Sequence, residues 1–133
     1  MNKKYSAEKP QMIVNTAPRI TLNYGAYEVS EEEMQALWEE RRGEMSDMPD
    51  TPDKWFREEH RWGYNELMIP MGQWTYGGVI NAIISDAYRP DVMEATINNY
   101  LLDPADEENA KYFAEMQAWR RYAKDIAKQV VKS

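Results

Sequence analysis

Apolar and polar residues alternate over Ile20, Leu22 and Tyr24, and the alternation resumes with Tyr27 and Val29 after Gly25-Ala26. A period of two is that of a half-buried strand, so this spacing predicts a short strand or hairpin. An isolated hairpin is marginal in water, so it must lie on helices or add a third strand, and Glu66 to Ile69, ending at Pro70, is the candidate. Residues 1–18 show neither period. They are polar, contain Pro10 and Pro18, and read as a loose arm, ordered only where Met12-Ile13-Val14 can pair or dock.

Helical signals start at Ser30-Glu31-Glu32-Glu33. Ser30 can cap the amide of Glu33 while Glu33 reaches back, and Val29 with Met34 are placed as a hydrophobic staple. Met34, Leu37 and Trp38 form a narrow apolar face and Gly43 a stop, which predicts a helix over 31–42. Thr51 as cap and Pro52 in the first helical position predict a second helix over 52–60 that presents Trp55 and Phe56. The stretch 61–74, broken by Gly63, Pro70 and Gly72, reads as an apolar loop packed against something.

From Thr75 onward Tyr76, Val79, Ile80, Ile83, Ile84, Ala87 and Tyr88 fall at spacings of three and four, so a helix is predicted; a strand would put Asn81 and Ser85 on the face of Ile83. Met93, Ile97, Tyr100 and Leu101 define a fourth helix over 91–101. Asp103 as cap and Pro104 in the first position open a fifth that can run to Val131. Its apolar positions Tyr112, Met116, Trp119, Ala123, Ile126 and Val130 keep a heptad rhythm. Acids stand at its start, and Arg120, Arg121, Lys124, Lys128 and Lys132 toward its end, in accord with the helix dipole. The predicted class is mainly α (α+β): about five helices, a small N-terminal β-hairpin or three-stranded element, and a long C-terminal helix. Residues 19–133 are expected to form one domain.

The last helix raises a question of length. At about 1.5 Å per residue it spans roughly 40 Å, against a radius of gyration of about 14 Å for a compact chain of this size. Its end must protrude unless another helix of this chain, or a second subunit, runs alongside. A stripe rich in alanine and aromatics, without the Leu and Ile of a zipper, favours intrachain packing.

Composition narrows the classes further. With 43% hydrophobic and 29% charged residues in 133, the chain is globular rather than disordered. It has no cysteine, which removes disulfides, thiolate zinc sites and a cysteine nucleophile. Met1-Asn2-Lys3-Lys4 looks like the charged start of a signal peptide, but no apolar stretch follows, and no run approaches a membrane span. A cytoplasmic protein without membrane contact is expected. The net charge of −7 is uneven: residues 1–27 carry +3, residues 28–59 carry −8, residues 60–103 carry −3 and residues 104–133 carry +1. Such a chain gains nothing from counterion release, so direct nucleic-acid binding is disfavoured, with only the N-terminal arm pointing the other way.

Candidate chemistry is sparse. His60 is the only histidine, and at helical spacing its neighbours are Phe56, Arg57, Gly63 and Tyr64, none a carboxylate. The pairs Asp91 with Glu94, and Asp103 with Asp106 and Glu107, flank helix starts, where caps and dipole account for them. Asp103 to Glu108 lacks the alternating ligands and central glycine of a calcium loop, and Gly77-Gly78 belongs to no phosphate-binding motif. No catalytic residue, cofactor or metal is therefore expected. The unusual feature is aromatic: Trp55, Phe56, Trp62, Tyr64, Trp74 and Tyr76 crowd into one stretch, either as the core of an irregular segment or as a partner or ligand surface. The candidate interaction residues are Trp55, Trp62, Tyr64 and Trp74 there, and Tyr112, Met116, Trp119 and Ile126 on the last helix.

Ala87-Tyr88-Arg89-Pro90-Asp91-Val92-Met93-Glu94-Ala95, then Ile97-Asn98-Asn99-Tyr100-Leu101 and Phe113-Ala114-Glu115-Met116-Gln117-Ala118-Trp119, resemble the tails of small prophage-encoded proteins. Tyr88 and Asp91 match a Tyr-x-x-Asp turn before a short helix; Ala123-Lys124 and Ala127-Lys128 match the end of a long one. The resemblance implies a virion-assembly or mobile-element accessory, virion-associated if phage-derived, and carries no catalytic residue across. The expected function is a non-catalytic structural, assembly or adaptor protein with a protein partner or a second copy. The alternatives are an acidic nucleic-acid mimic that inhibits a DNA-binding protein, and a small-ligand module or enzyme around the aromatic loop.

Overall fold

The alternating run forms one strand rather than a hairpin, Arg19–Glu28, in the computed structural model, which describes residues 1–44 and 47–131. Gly25 sits inside it at φ 67°, a left-handed backbone that glycine adopts without strain. Ile20, Leu22 and Tyr24 are buried before that point, and Tyr27 and Val29 continue one residue out of phase after it, the mark of a bulge. The described residues form an α+β fold of five α-helices and a four-stranded antiparallel sheet.

In chain order the elements are β1 (Lys3–Ser6), β2 (Ile13–Thr16), β3 (Arg19–Glu28), α1 (Glu31–Glu44), α2 (Lys54–Glu59), β4 (Trp62–Pro70), a 3-10 turn (Met71–Gln73), α3 (Tyr76–Ala87), α4 (Pro90–Leu102) and α5 (Glu107–Val130). The sheet order is β1-β4-β3-β2, so the two long strands are central and the two short ones lie at the edges. β1 and β2 fall in the stretch expected as a loose arm. Four residues are too few to display a period; β1 is fixed by partners 60 residues away, with Lys3 opposite Asn65, Lys4 opposite Tyr64, Tyr5 opposite Gly63 and Ser6 opposite Trp62. Most of the predicted apolar loop is the strand β4, which contains Glu66 to Ile69, the expected third strand. Gly63, read as a breaker, stands within it because the Tyr27 ring occupies the space where a side chain would go.

Helix positions follow the sequence, with corrections at the ends. α1 continues through Gly43 to Glu44; Met45 and Ser46 lie outside the described residues. α2 is capped by Asp53, whose carboxylate accepts the Phe56 amide at 2.8 Å, rather than by Thr51. α3 is capped by Thr75, which accepts from the Gly78 amide at 3.0 Å. α5 starts later than predicted, because Asp103 closes α4 by donating its amide to the Asn99 carbonyl; Asp106 is the cap, accepting from Asn109. Lys132, counted with the basic end of α5, lies outside the described residues.

Contacts group the residues into two compact units. One holds Asn15–Thr21 and Leu67–Ser133, together with Met1; the other holds Asn2–Val14 and Leu22–Glu66. In the first, the helical unit, α5 packs on α3 and α4. The heptad stripe is spent there: Met116, Ala123, Ile126 and Val130 are buried, as are Val79 and Ile83 of α3. Trp119 donates its indole N–H to the Ile83 carbonyl at 2.9 Å, and Phe113 stacks on Tyr100 with centroids 4.2 Å apart. The long helix is thus covered along its seam by helices of its own chain. In the second, the acidic unit, Met34, Trp38 and Phe56 form a core with Val29, Leu37 and Met48 against it. Among the described residues no helix is long and apolar enough to cross a membrane.

Candidate interaction site on the acidic unit

The site grows from the start of α1. Ser30 Oγ accepts the Glu33 amide at 3.2 Å, half of the predicted capping box. The Glu33 carboxylate is engaged by tyrosines: Oε1 accepts from the Tyr27 hydroxyl at 2.7 Å and the Tyr5 hydroxyl at 3.2 Å. Lys3 Nζ donates to the Tyr27 hydroxyl at 2.7 Å and lies 3.8 Å from Glu33. One carboxylate therefore joins β1, β3 and α1. Both phenols must keep their protons to donate. Burial, then the Glu33 charge, pushes Tyr5 up to about 12, and burial with the bond to Glu33 raises Tyr27.

Tyr5 leads to the histidine. Its ring lies 5.6 Å from that of His60, which in turn stacks on Phe56 at 4.0 Å and 19°. Trp38 meets the Phe56 ring edge-on at 5.0 Å. His60 Nδ1 lies 2.7 Å from the Phe56 carbonyl oxygen. A carbonyl can only accept, so Nδ1 carries a proton, and Nε2 of the neutral ring is an acceptor.

One ion pair ties α1 to α2, and two further bonds tie α1 to the loop that leads into α2. Arg57 pairs with Glu31 at 2.7 Å, Arg42 with Asp50 at 2.8 Å, and Trp38 donates its indole N–H to the Pro49 carbonyl at 2.7 Å. Between them opens a groove of about 340 Å³ lined by Leu37, Glu40, Arg41, Glu44, Phe56 and His60. The α1 residues 37, 40, 41 and 44 share one helical face. On the rim stands Trp55, 59% exposed, with the Arg41 guanidinium 5.9 Å from its ring centroid and equally far from that of Phe56. Sequence reading singled out Trp55 and His60 but missed the groove. Its signal was the spacing of Leu37, Glu40, Arg41 and Glu44, which reads as an ordinary solvated face until α2 is laid beside it.

The other predicted residues disperse. Trp62 and Tyr64 are half-buried on β4, Trp62 beneath Lys9 at 5.9 Å and Tyr64 opposite Lys4. Burial and then Glu66 raise the Tyr64 phenol. Trp74 ends the 3-10 turn in the helical unit, so the aromatic stretch is shared between units rather than gathered in one loop. Met116 and Ile126 are interior, and Trp119 is half-buried with its indole on α3; these three pack the helical unit. Tyr112 is exposed, its hydroxyl on Glu108 at 3.0 Å. Among the described residues no group of three or more His, Asp or Glu side chains is placed to hold a metal ion.

Compared with protein-family models, with curated proteins and with solved structures, the chain matches none.

Proposed function

We propose that this chain is a non-catalytic adaptor or assembly protein that holds a protein partner through the α1–α2 face of its acidic unit. The observation that carries this reading is Trp55, a large aromatic left 59% exposed on the rim of a groove whose floor is Leu37 and Phe56. Tryptophan and arginine dominate the binding energy of protein interfaces when they stand beside an apolar pocket, and Trp55 stands with Arg41. The ties from α1 to α2 and to the loop before it hold the groove before a partner arrives, which lowers the ordering cost of binding. The resemblance of the C-terminal half to prophage accessory proteins agrees with an assembly role.

The nucleic-acid mimic has one observation in its favour, the exposure of Glu31, Glu32, Glu39, Glu40 and Glu44 along α1. Arg41 and Arg57 interrupt that row, and an exposed tryptophan has no place in a phosphate mimic. The test is a photo-crosslinking amino acid placed at position 55, and separately at the exposed Lys124 of α5, in cells that make the protein. The proposal expects a discrete protein adduct from position 55 and none from 124. Equal labelling from both, or none from 55, contradicts it.

A further inference from the structure

We infer that the α1–α2 groove takes an arginine-bearing segment of a protein partner, with the guanidinium seated between Glu40, Glu44 and His60. This rests on the reading of the face as a partner site and names what enters it. The floor, Leu37 and Phe56, is apolar and accommodates the methylene stem of a long side chain. The walls are hydrogen-bond acceptors: two carboxylates one helical turn apart and the Nε2 of His60, whose Nδ1 is committed to the Phe56 carbonyl. Glu40 and Glu44 are a like-charge pair at i,i+4, and neither has an ion-pair partner among the described residues.

The lining holds one cation, Arg41, whose guanidinium lies 5.9 Å from the ring centroids of Trp55 and Phe56. Among the described residues it forms no ion pair with Glu40 or Glu44, so the two carboxylates still lack a donor. A guanidinium supplies five in a fixed planar fork and matches paired carboxylates better than an ammonium does. At about 340 Å³ the groove is at the small end of ligand pockets and suits one side chain with its backbone passing over the rim. Surplus acidity in residues 28–59, at −8, draws a basic segment toward the same face.

The test titrates the full chain with three synthetic twelve-residue peptides, identical except that two central positions are Arg, Lys or Glu. Binding is followed by two-dimensional NMR. Amide shifts confined to Leu37, Glu40 to Glu44, Phe56 and His60 are expected with the Arg peptide, weaker ones with Lys and none with Glu. Glu40→Gln with Glu44→Gln, on exposed positions that leave the fold intact by circular dichroism, is expected to weaken the Arg peptide by about tenfold or more. Equal binding of the three peptides, or no loss in the double variant, overturns the inference. The crosslink from position 55 separates the two levels. An adduct whose mapped partner segment lacks basic residues overturns the arginine assignment and leaves the partner face standing, whereas no adduct removes both.

Discussion

Replacing Glu33 should cost the acidic unit more than any other single surface carboxylate, and the amount follows from its partners. Glu33→Ala removes the acceptor of a short bond from Tyr27, 2.7 Å, and of a longer one from Tyr5, 3.2 Å. Hydrogen bonds to a charged group contribute about 1.5–3 kcal/mol each, and the longer one belongs at or below the bottom of that range. The pair with Lys3 at 3.8 Å is exposed and adds well under about 1 kcal/mol. The freed hydroxyls are only partly buried and can turn to water, so no full desolvation penalty follows. The expected loss is about 3 kcal/mol for Glu33→Ala. Glu33→Gln keeps a carbonyl acceptor and loses only the charge, about 1 kcal/mol. Lys3→Met removes the exposed pair and the Lys3 bond to the Tyr27 hydroxyl, leaves the carboxylate in place, and should cost about 1 kcal/mol. Urea unfolding read by tryptophan fluorescence gives all three. Equal loss in Ala and Gln, or less than about 0.5 kcal/mol in both, would show that the tyrosines do not depend on this carboxylate.

Three further outcomes follow from the same structure. The raised Tyr5 phenol, at about 12 against an ordinary 10, means that the unfolded chain gives up its proton first on raising the pH, so this contribution is complete below pH 10 and is lost between pH 10 and 12; alkaline unfolding of Tyr5→Phe should be shallower across that window, and an unchanged profile would refute the assignment. Gly63→Ala places a Cβ 2.7 Å from the ring of Tyr27, which Lys3 and Glu33 hold in place, and should cost about 1–3 kcal/mol, recovered in part with Tyr27→Leu; additive losses would count against the contact. Trp119→Phe removes the donor to the Ile83 carbonyl and ring volume between α3 and α5, about 2 kcal/mol by calorimetry, and a neutral result would mean that the seam closes without it.

What could be read in the sequence was whatever a local period or cap encodes. α3 carries its apolar positions at three and four and lies where that period predicts it. Helix ends slipped where two signals lay close together: Asp103 reads as a start but is used to finish α4, and Asp53, two residues after Thr51, caps α2 by accepting the Phe56 amide. β1 and the first half of β4 are the larger miss: Glu66 to Ile69 was expected as a strand, but four residues around Tyr5 and a stretch broken by Gly63 have no period until they are paired, with each other and, for β4, with β3. The groove was illegible for the same reason. It belongs to two helices, and only Trp55, too large and too apolar for a solvated six-residue helix, advertised it.

The acids of α1 divide into two groups that the fold treats differently. Glu31, Glu32 and Glu33 stand in the first turn, where the helix dipole and the cap favour negative charge. Glu39, Glu40 and Glu44 stand in the second half, where the dipole opposes it, and Glu40 repels Glu44 one turn on. Glu39 accepts a bond from Gln35 at 3.3 Å, but folding gains nothing comparable from Glu40 and Glu44. Charges that weaken their own helix and line a groove are what a binding site built at the expense of stability requires. The double variant Glu40→Gln with Glu44→Gln should therefore move two properties in opposite directions: stability up by about 0.3–1 kcal/mol, and affinity for a basic peptide down. Thermal melting with the peptide titration on one preparation reads both. A destabilised double variant would mean that the two carboxylates serve the fold after all, and would remove the strongest physical reason for seeing a site there.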